Sequence, residues 1–208
     1  TLKDQEIKKD KLTHHLEYRE TNLTITKNGD KDFKVEISPN ISFKSTENLE
    51  TTLSSVKEYI DEIKEIKLTD GYERSEIKEG ELIHHIKLTD QALTFNSGSN
   101  KFEFKGIKFT LNEKSTTKEK LEKGVSIAKE IQEVSSLNIG GKYEKSEYKD
   151  KKLTHTFKYT YDKKEFPEIK LTKVNDKFEI EYEERKEQKI ESEKLGSEIK
   201  NIIEKTEL

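Results

Sequence analysis

Five histidines, His14, His15, His84, His85 and His155, are the side chains in this chain best suited to metal ligation or proton transfer near neutral pH. Two pairs are adjacent, and neighbouring residues on a strand point to opposite faces. Neither His14 with His15 nor His84 with His85 can therefore close on one metal ion. The trio His14, His84 and His155 shares the face of the flanking apolar residues, which allows two readings. Convergence of three segments would give a three-histidine site of the catalytic zinc type. Without convergence, each is a partly buried histidine hydrogen-bonded under its own helix. No orienting carboxylate stands out in the sequence, so the second reading is the expectation, with no metal and no cofactor.

Other chemistry lacks its residues. There is no cysteine, which removes disulfides, thiol nucleophiles and cysteine-based zinc sites together. The sequence holds no G-x-S-x-G elbow, no H-E-x-x-H, and neither a P-loop nor G-x-G-x-x-G. Asn28-Gly29-Asp30-Lys31-Asp32 has a calcium-loop look but lacks the ligand order and the distal glutamate, so it is read as a hairpin turn. Carboxylates abound, yet none is singled out as an acid/base pair. No catalytic activity is expected.

Composition narrows the partners. The 208 residues hold 40 Lys and Arg against 43 Asp and Glu, so the opposite charges nearly cancel at a net −3. A protein living on phosphate contacts needs a basic excess or a basic face. Nucleic acid and anionic membranes are thus disfavoured, and a protein or glycan partner is favoured by elimination. Only 29% of residues are hydrophobic and the mean hydropathy is −1.02. A chain so polar folds only if its apolar residues are patterned, and here they are. No apolar run reaches the roughly 18–20 residues that span a bilayer. A start at Thr1 reads as a cut one, which leaves the presence of a signal peptide or lipid-anchored leader undecided, and an extracellular or cell-surface compartment is slightly favoured over a cytoplasmic one.

The elements that must position these residues come three times over. Tyr72-Glu73-Arg74-Ser75-Glu76-Ile77-Lys78 matches Tyr143-Glu144-Lys145-Ser146-Glu147-Tyr148-Lys149 at an offset of 71. Leu12-Thr13-His14-His15-Leu16, Leu82-Ile83-His84-His85-Ile86 and Leu153-Thr154-His155-Thr156-Phe157 align at offsets of 70 and 71. Ile60, Ile131 and Ile202 again lie 71 apart. The fold expected is therefore α+β, with three tandem ββββα repeats of about 70 residues, each an antiparallel sheet carrying one amphipathic helix on a face. The copies are taken as 1–68, 69–139 and 140–208, packed against one another.

In the second copy, Gly71 to Lys78 reads as a first strand and Glu79-Gly80 as a turn. Leu82, His84, Ile86 and Leu88 alternate as a second strand, and Leu93 and Phe95 mark a third. Phe102, Phe104, Ile107, Phe109 and Leu111 read as a fourth strand bulged at Gly106. In the first copy Pro39-Asn40 falls where Gly106 does later. In the third, Val174-Asn175-Asp176 turns the chain, Phe166-Pro167 sits in an insertion, and the fourth strand reads as shortened. Helices are expected near 46–66, 116–136 and 188–205. The second opens on a capping box, Thr116-x-x-Glu119, and carries an apolar stripe of Leu121, Val125, Ala128, Ile131 and Val134. Gly124 and Gly196 fall inside helices at a cost of about 1 kcal/mol each relative to alanine, which signals close approach or a pocket beneath the helix.

The tandem ββββα plan resembles, in topology, the repeats of PUR-family and Whirly single-strand binders. That likeness implies nucleic-acid binding by a basic sheet with stacked aromatics. Here the outward positions mix signs, as at Lys34 and Glu36, Glu103 and Lys105, or Lys177 and Glu179. The expected function is accordingly a non-catalytic binding module built from tandem repeats. A single-strand nucleic-acid binder and a small-ligand or lipid carrier are the alternatives.

Overall fold

The computed structural model describes residues 1–8, 11–28, 32–161, 164–165, 168–175, 177–182, 185–186 and 190–206. The first copy is a meander of β1 (Leu2–Lys8), β2 (Lys11–Tyr18), β3 (Thr21–Asn28), β4 (Asp32–Ile37) and β5 (Ile41–Ser45), followed by α1 (Leu49–Ile66). The second repeats it with β6 (Tyr72–Lys78), β7 (Glu81–Leu88), β8 (Gln91–Asn96), β9 (Lys101–Phe104) and β10 (Ile107–Thr110), then α2 (Thr117–Ser135). Strands neighbour each other in chain order within both five-stranded sheets. The third sheet is built on β11 (Lys142–Lys149), β12 (Lys152–Lys158), β15 (Ile169–Val174) and β16 (Lys177–Tyr182). A ribbon of β13 (Thr160–Tyr161) and β14 (Lys164–Glu165) interrupts it, and β17 (Arg185–Lys186) and β18 (Ile190–Glu191) both pair with β16. A short 3-10 turn, Ser192–Lys194, leads into α3 (Leu195–Thr206). The fold is α+β and repeat-like, as the sequence implies.

By contact density the chain falls into two compact units. One holds residues 1–105 with 110–124, and the other holds 106–109 with 125–208. In the first, Leu23, Ile25, Val35, Ile37 and Ile41 of the sheet share a core with Val56 and Ile60 of α1, and Ile77 of β6 joins its edge. In the second, Phe157, Ile169, Leu171, Phe178 and Ile180 share a core with Leu195, Ile199 and Ile203 of α3, and also with Val134 of α2. Alternation along each strand puts these apolar side chains on one face and leaves the charges outside.

Turn and cap chemistry explains where the elements stop. The Arg19-Glu20, Glu79-Gly80, Lys105-Gly106 and Asp150-Lys151 pairs all have positive φ at both residues, the backbone of two-residue hairpin turns that match the strands' right-handed twist. The capping box forms as its spacing implies: Thr116 N–H donates to Glu119 Oε2 at 2.8 Å and Glu119 N–H donates to Thr116 Oγ1 at 3.2 Å. At α1, Asn48 Oδ1 accepts from Thr51 N–H at 2.9 Å.

Three expectations are corrected. The fourth strand of the first two copies is two strands, because Lys105-Gly106 is a hairpin turn rather than a bulge and Ser38-Pro39-Asn40 separates β4 from β5. In the third copy β16 is a full six residues, and the two strands after it, β17 and β18, are two residues each. The third helix begins at Leu195 rather than near 188, because Ile190 and Glu191 pair with Phe178 and Lys177 in the sheet. That start sets its phase: Ile199 and Ile203 are buried, and Ile202 lies beside the core, half-buried. Residues 29–31 of the turn expected at Asn28-Gly29 lie outside the described residues, as do Phe166-Pro167 and Asp176.

Candidate binding face

The first two strands of every copy pair antiparallel, and the pairing decides which residues share a face. In the second copy Tyr72 faces Ile86, Ser75 faces His84 and Ile77 faces Leu82. In the third the partners are Tyr143 with Phe157, Ser146 with His155 and Tyr148 with Leu153. In the first they are Leu2 with Leu16, Gln5 with His14 and Ile7 with Leu12. All three hairpins carry a register shift after the first of these residues. The extra residue brings positions three apart onto the same side, so Tyr72 lies beside Ser75, and Tyr143 beside Ser146.

Four side chains then join in a row. The Tyr72 hydroxyl is 3.0 Å from Ser75 Oγ, Ser75 Oγ is 2.8 Å from His84 Nδ1, and His84 Nε2 is 2.8 Å from Glu62 Oε1. The third copy repeats the row: Tyr143 to Ser146 at 2.7 Å, Ser146 to His155 Nδ1 at 2.7 Å, and His155 Nε2 to Glu130 Oε1 at 3.2 Å. A carboxylate only accepts hydrogen bonds. The histidine Nε2–H therefore donates to glutamate; in the neutral imidazole its Nδ1 then accepts from serine, and the serine oxygen accepts from tyrosine. Each ring uses both nitrogens.

The glutamates come from the helix of the preceding copy, Glu62 from α1 and Glu130 from α2. The expectation that each histidine is hydrogen-bonded under its own helix is corrected for His84 and His155, whose helical partner comes from the helix before. His84 also remains near its own copy's core, its ring centroid 5.9 Å from that of Phe95. The sequence conceals the glutamates because they are not repeat-equivalent. Glu62 and Glu130 are 68 residues apart, whereas the histidines they meet are 71 apart. The difference of three is close to one helical turn, so both still leave the same side of their helices. The serine and tyrosine had a visible signal: Tyr-x-x-Ser followed nine residues later by histidine, in both copies.

A Ser–His–Glu row has the composition of a nucleophile relay, but the surroundings differ from one. A working serine nucleophile needs an open approach and donors aimed at a developing oxyanion. Ser75 and Ser146 are 8% and 5% exposed, and each oxygen is bonded on its other side by tyrosine. A recess of about 250 Å³ beside Ser75 is lined by Ile37, Pro39, Ile60, Ile63 and Tyr72 among others. The row acts as a clasp between a helix and the next sheet. Around it, Tyr59 of α1 donates to the Gly80 carbonyl at 2.9 Å, and Val134 of α2 enters the third sheet's core.

The first copy has the same face without the clasp. Among the described residues, the side-chain partner of His14 is Gln5, whose Nε2 lies 3.0 Å from Nδ1. Leu12, His14 and Leu16 are half-buried, whereas Leu82, His84 and Ile86, like Leu153, His155 and Phe157, are buried. Leu2 is 50% exposed and Ile7 76% exposed. His84→Ala should therefore destabilise the chain by about 1–3 kcal/mol, since it takes the imidazole partner from the buried Ser75 hydroxyl and from the part-buried Glu62 carboxylate and leaves a hole in their place. His14→Ala should stay within about 0.5 kcal/mol. Thermal melts of the two variants check this, and equal losses would contradict it.

The remaining histidines are spoken for singly. His85 Nε2 is 2.9 Å from Glu76 Oε1, and His15 Nδ1 is 3.3 Å from Thr24 Oγ1. Arg74 foremost, then His85, hold Glu76 below the usual carboxylate range. The three sequence candidates for a metal, His14, His84 and His155, lie in three separate sheets. Among the described residues no group of three or more His, Asp or Glu side chains is arranged to hold a metal ion. Among them, too, no helix is long and apolar enough to cross a membrane.

The two helical glycines have different causes. A Cβ on Gly124 would lie 2.2 Å from the Phe102 ring, so this glycine is a close approach. A Cβ on Gly196 would meet only Ile139 Cα, at 3.7 Å. Gly196 lines a cleft of about 370 Å³ under α3 with Ile139, Tyr159, Ile199 and Ile203, and with Lys200 among its polar lining. Burial pushes the Tyr159 phenol well above its ordinary range, and its hydroxyl donates to the Ile139 carbonyl at 3.3 Å. Outward faces carry opposite charges side by side, with Lys34–Glu36 at 2.6 Å, Arg74–Glu76 at 2.7 Å and Lys145–Glu147 at 3.1 Å. No protein-family model, curated protein or solved structure matches this chain.

Proposed function

We propose that this chain is a non-catalytic interaction module that binds a protein partner through the β1–β2 face of its first sheet. The observation that carries the reading is the contrast among equivalent hairpins. Two are covered and clasped, and one presents Leu2 and Ile7 to solvent around a half-buried histidine. Contiguous apolar surface with a polar centre marks interaction sites, and covering an isoleucine or leucine is worth about 1.5–3 kcal/mol. Against catalysis, the serines of the other two hairpins are buried and each is hydrogen-bonded on its other side by a tyrosine, which closes the approach a nucleophile needs. Against nucleic acid, strand cations such as Lys34, Arg74 and Lys145 pair with glutamates on their own face, so phosphate would meet interspersed charges of both signs.

Two titrations of the whole chain test this. A solvatochromic apolar dye should bind the wild type and lose most of that binding in Leu2→Lys/Ile7→Lys. A single-stranded oligonucleotide at 50 mM salt should bind weakly or not at all. Dye binding indifferent to the two substitutions, or tight oligonucleotide binding that collapses with modest salt, overturns the reading.

The cleft under α3 favours a second reading, a small apolar ligand carrier, because about 370 Å³ lies within the range of ligand pockets. Native mass spectrometry of the purified chain checks it. A retained small molecule lost on Gly196→Leu supports a carrier, and a bare mass under gentle conditions counts against one.

A further inference from the structure

We infer that the partner of the β1–β2 face is an amphipathic helix carrying a carboxylate that meets His14, docked as α1 docks on the second sheet and α2 on the third. This rests on the interaction-module reading and names the occupant of the same face. The argument is internal. The pairs Tyr72–Ile86, Ser75–His84 and Ile77–Leu82 have as counterparts Leu2–Leu16, Gln5–His14 and Ile7–Leu12. In the second copy the matching surface is closed by a helix that sends Glu62 to His84 Nε2 at 2.8 Å. In the third it is closed by another, which sends Glu130 to His155 Nε2 at 3.2 Å and buries Val134 among that sheet's apolar residues.

The first copy retains what such a helix needs. His14 meets Gln5 through Nδ1, as His84 meets Ser75, and that ties down the ring nitrogen opposite the one the helix would reach. Leucine and isoleucine flank the ring where the helix's apolar residues would lie. The substitutions fit an open face as well. Tyr72 and Ser75, which complete the buried clasp, are replaced by Leu2 and Gln5, neither of which depends on a tyrosine–serine hydrogen bond being kept dry.

The probe is a synthetic peptide of residues 48–67, which carries α1 with its Asn48 cap and Glu62, fluorescently labelled and titrated with the whole chain. Saturable binding is expected, at least tenfold weaker for Ile7→Lys, and several-fold weaker for His14→Ala or for a peptide with Glu62→Gln. Ile7 is exposed in the free chain, so Ile7→Lys should melt like the wild type and its loss of binding is not a loss of fold. No peptide binding while the dye titration above succeeds overturns the helical occupant and leaves the module reading standing. Binding unaffected by Ile7→Lys overturns it too, because the peptide then sits elsewhere. Concentration-dependent self-association of the chain, abolished by Ile7→Lys and competed by the peptide, supports it with a second copy's helix as the occupant. Self-association that the peptide does not compete for shows a different occupant and overturns it.

Discussion

Ile131→Ala should destabilise the chain by about 2–5 kcal/mol, the range for truncating a large aliphatic side chain in a closed core. Ile131 is 0% exposed, on a helical stripe with Leu121, Ala128 and Val134, all equally buried. Lys129, two residues earlier, is exposed on the other side of α2, and Lys129→Ala should stay within about 0.5 kcal/mol. The size of the first effect depends on how far the surroundings close over the lost methylenes. Its contrast with the second depends only on helix phase. Because the chain has two compact units and residues 125–208 belong to the second, the melting transition of that unit is the one to follow. Equal shifts for both variants would mean the phase is wrong.

Gly124→Ala should also destabilise, by about 1–3 kcal/mol as an overpacked core does. The sign is the informative part. In an open helix this substitution stabilises by about 1 kcal/mol. Here a methyl group would stand 2.2, 2.6 and 2.8 Å from three carbons of the Phe102 ring. That ring has little room to yield, being 1% exposed and stacked on Phe95 at 4.3 Å between centroids with planes 10° apart. Phe102→Leu should cost stability alone but remove much of the penalty of Gly124→Ala, giving a clear coupling in a double-mutant cycle. Additive effects, or a stabilising Gly124→Ala, would contradict the contact.

Much of this architecture is legible in the residues. The apolar stripes, the capping box at Thr116 and Glu119, and the alternation through Leu82, His84, Ile86 and Leu88 each state an element and its buried side. The strand count is not legible. From Phe104 to Ile107 the apolar positions change parity, and a bulge or a two-residue hairpin turn does that equally well. Both also use a glycine with positive φ. Only the pairing of β9 with β10 decides between them.

The clasp was half legible for a related reason. Tyr72, Ser75 and His84 stand at spacings repeated by Tyr143, Ser146 and His155, so their association shows in the alignment of copies. Glu62 and Glu130 do not align, since helices can slide by about a turn and still present the same side. A carboxylate among 43 acidic residues gains meaning only when tertiary structure brings it to an imidazole. The open face of the first copy is less visible still, because Leu2, Ile7, Leu12 and Leu16 read like core residues. Their exposure is a property of what does or does not cover them.

Amide hydrogen exchange along β2, β7 and β12, with and without a saturating peptide of residues 48–67, tests the account most directly. Local opening governs protection, and a strand covered by a helix opens less readily than an equivalent uncovered one. The account predicts slow exchange around His84 and His155, faster exchange around His14 in the free chain, and slowing around His14 and the paired β1 residues once peptide is bound. Equal protection of β2 and β7 in the free chain, or peptide-induced protection that falls anywhere other than β1 and β2, would contradict it.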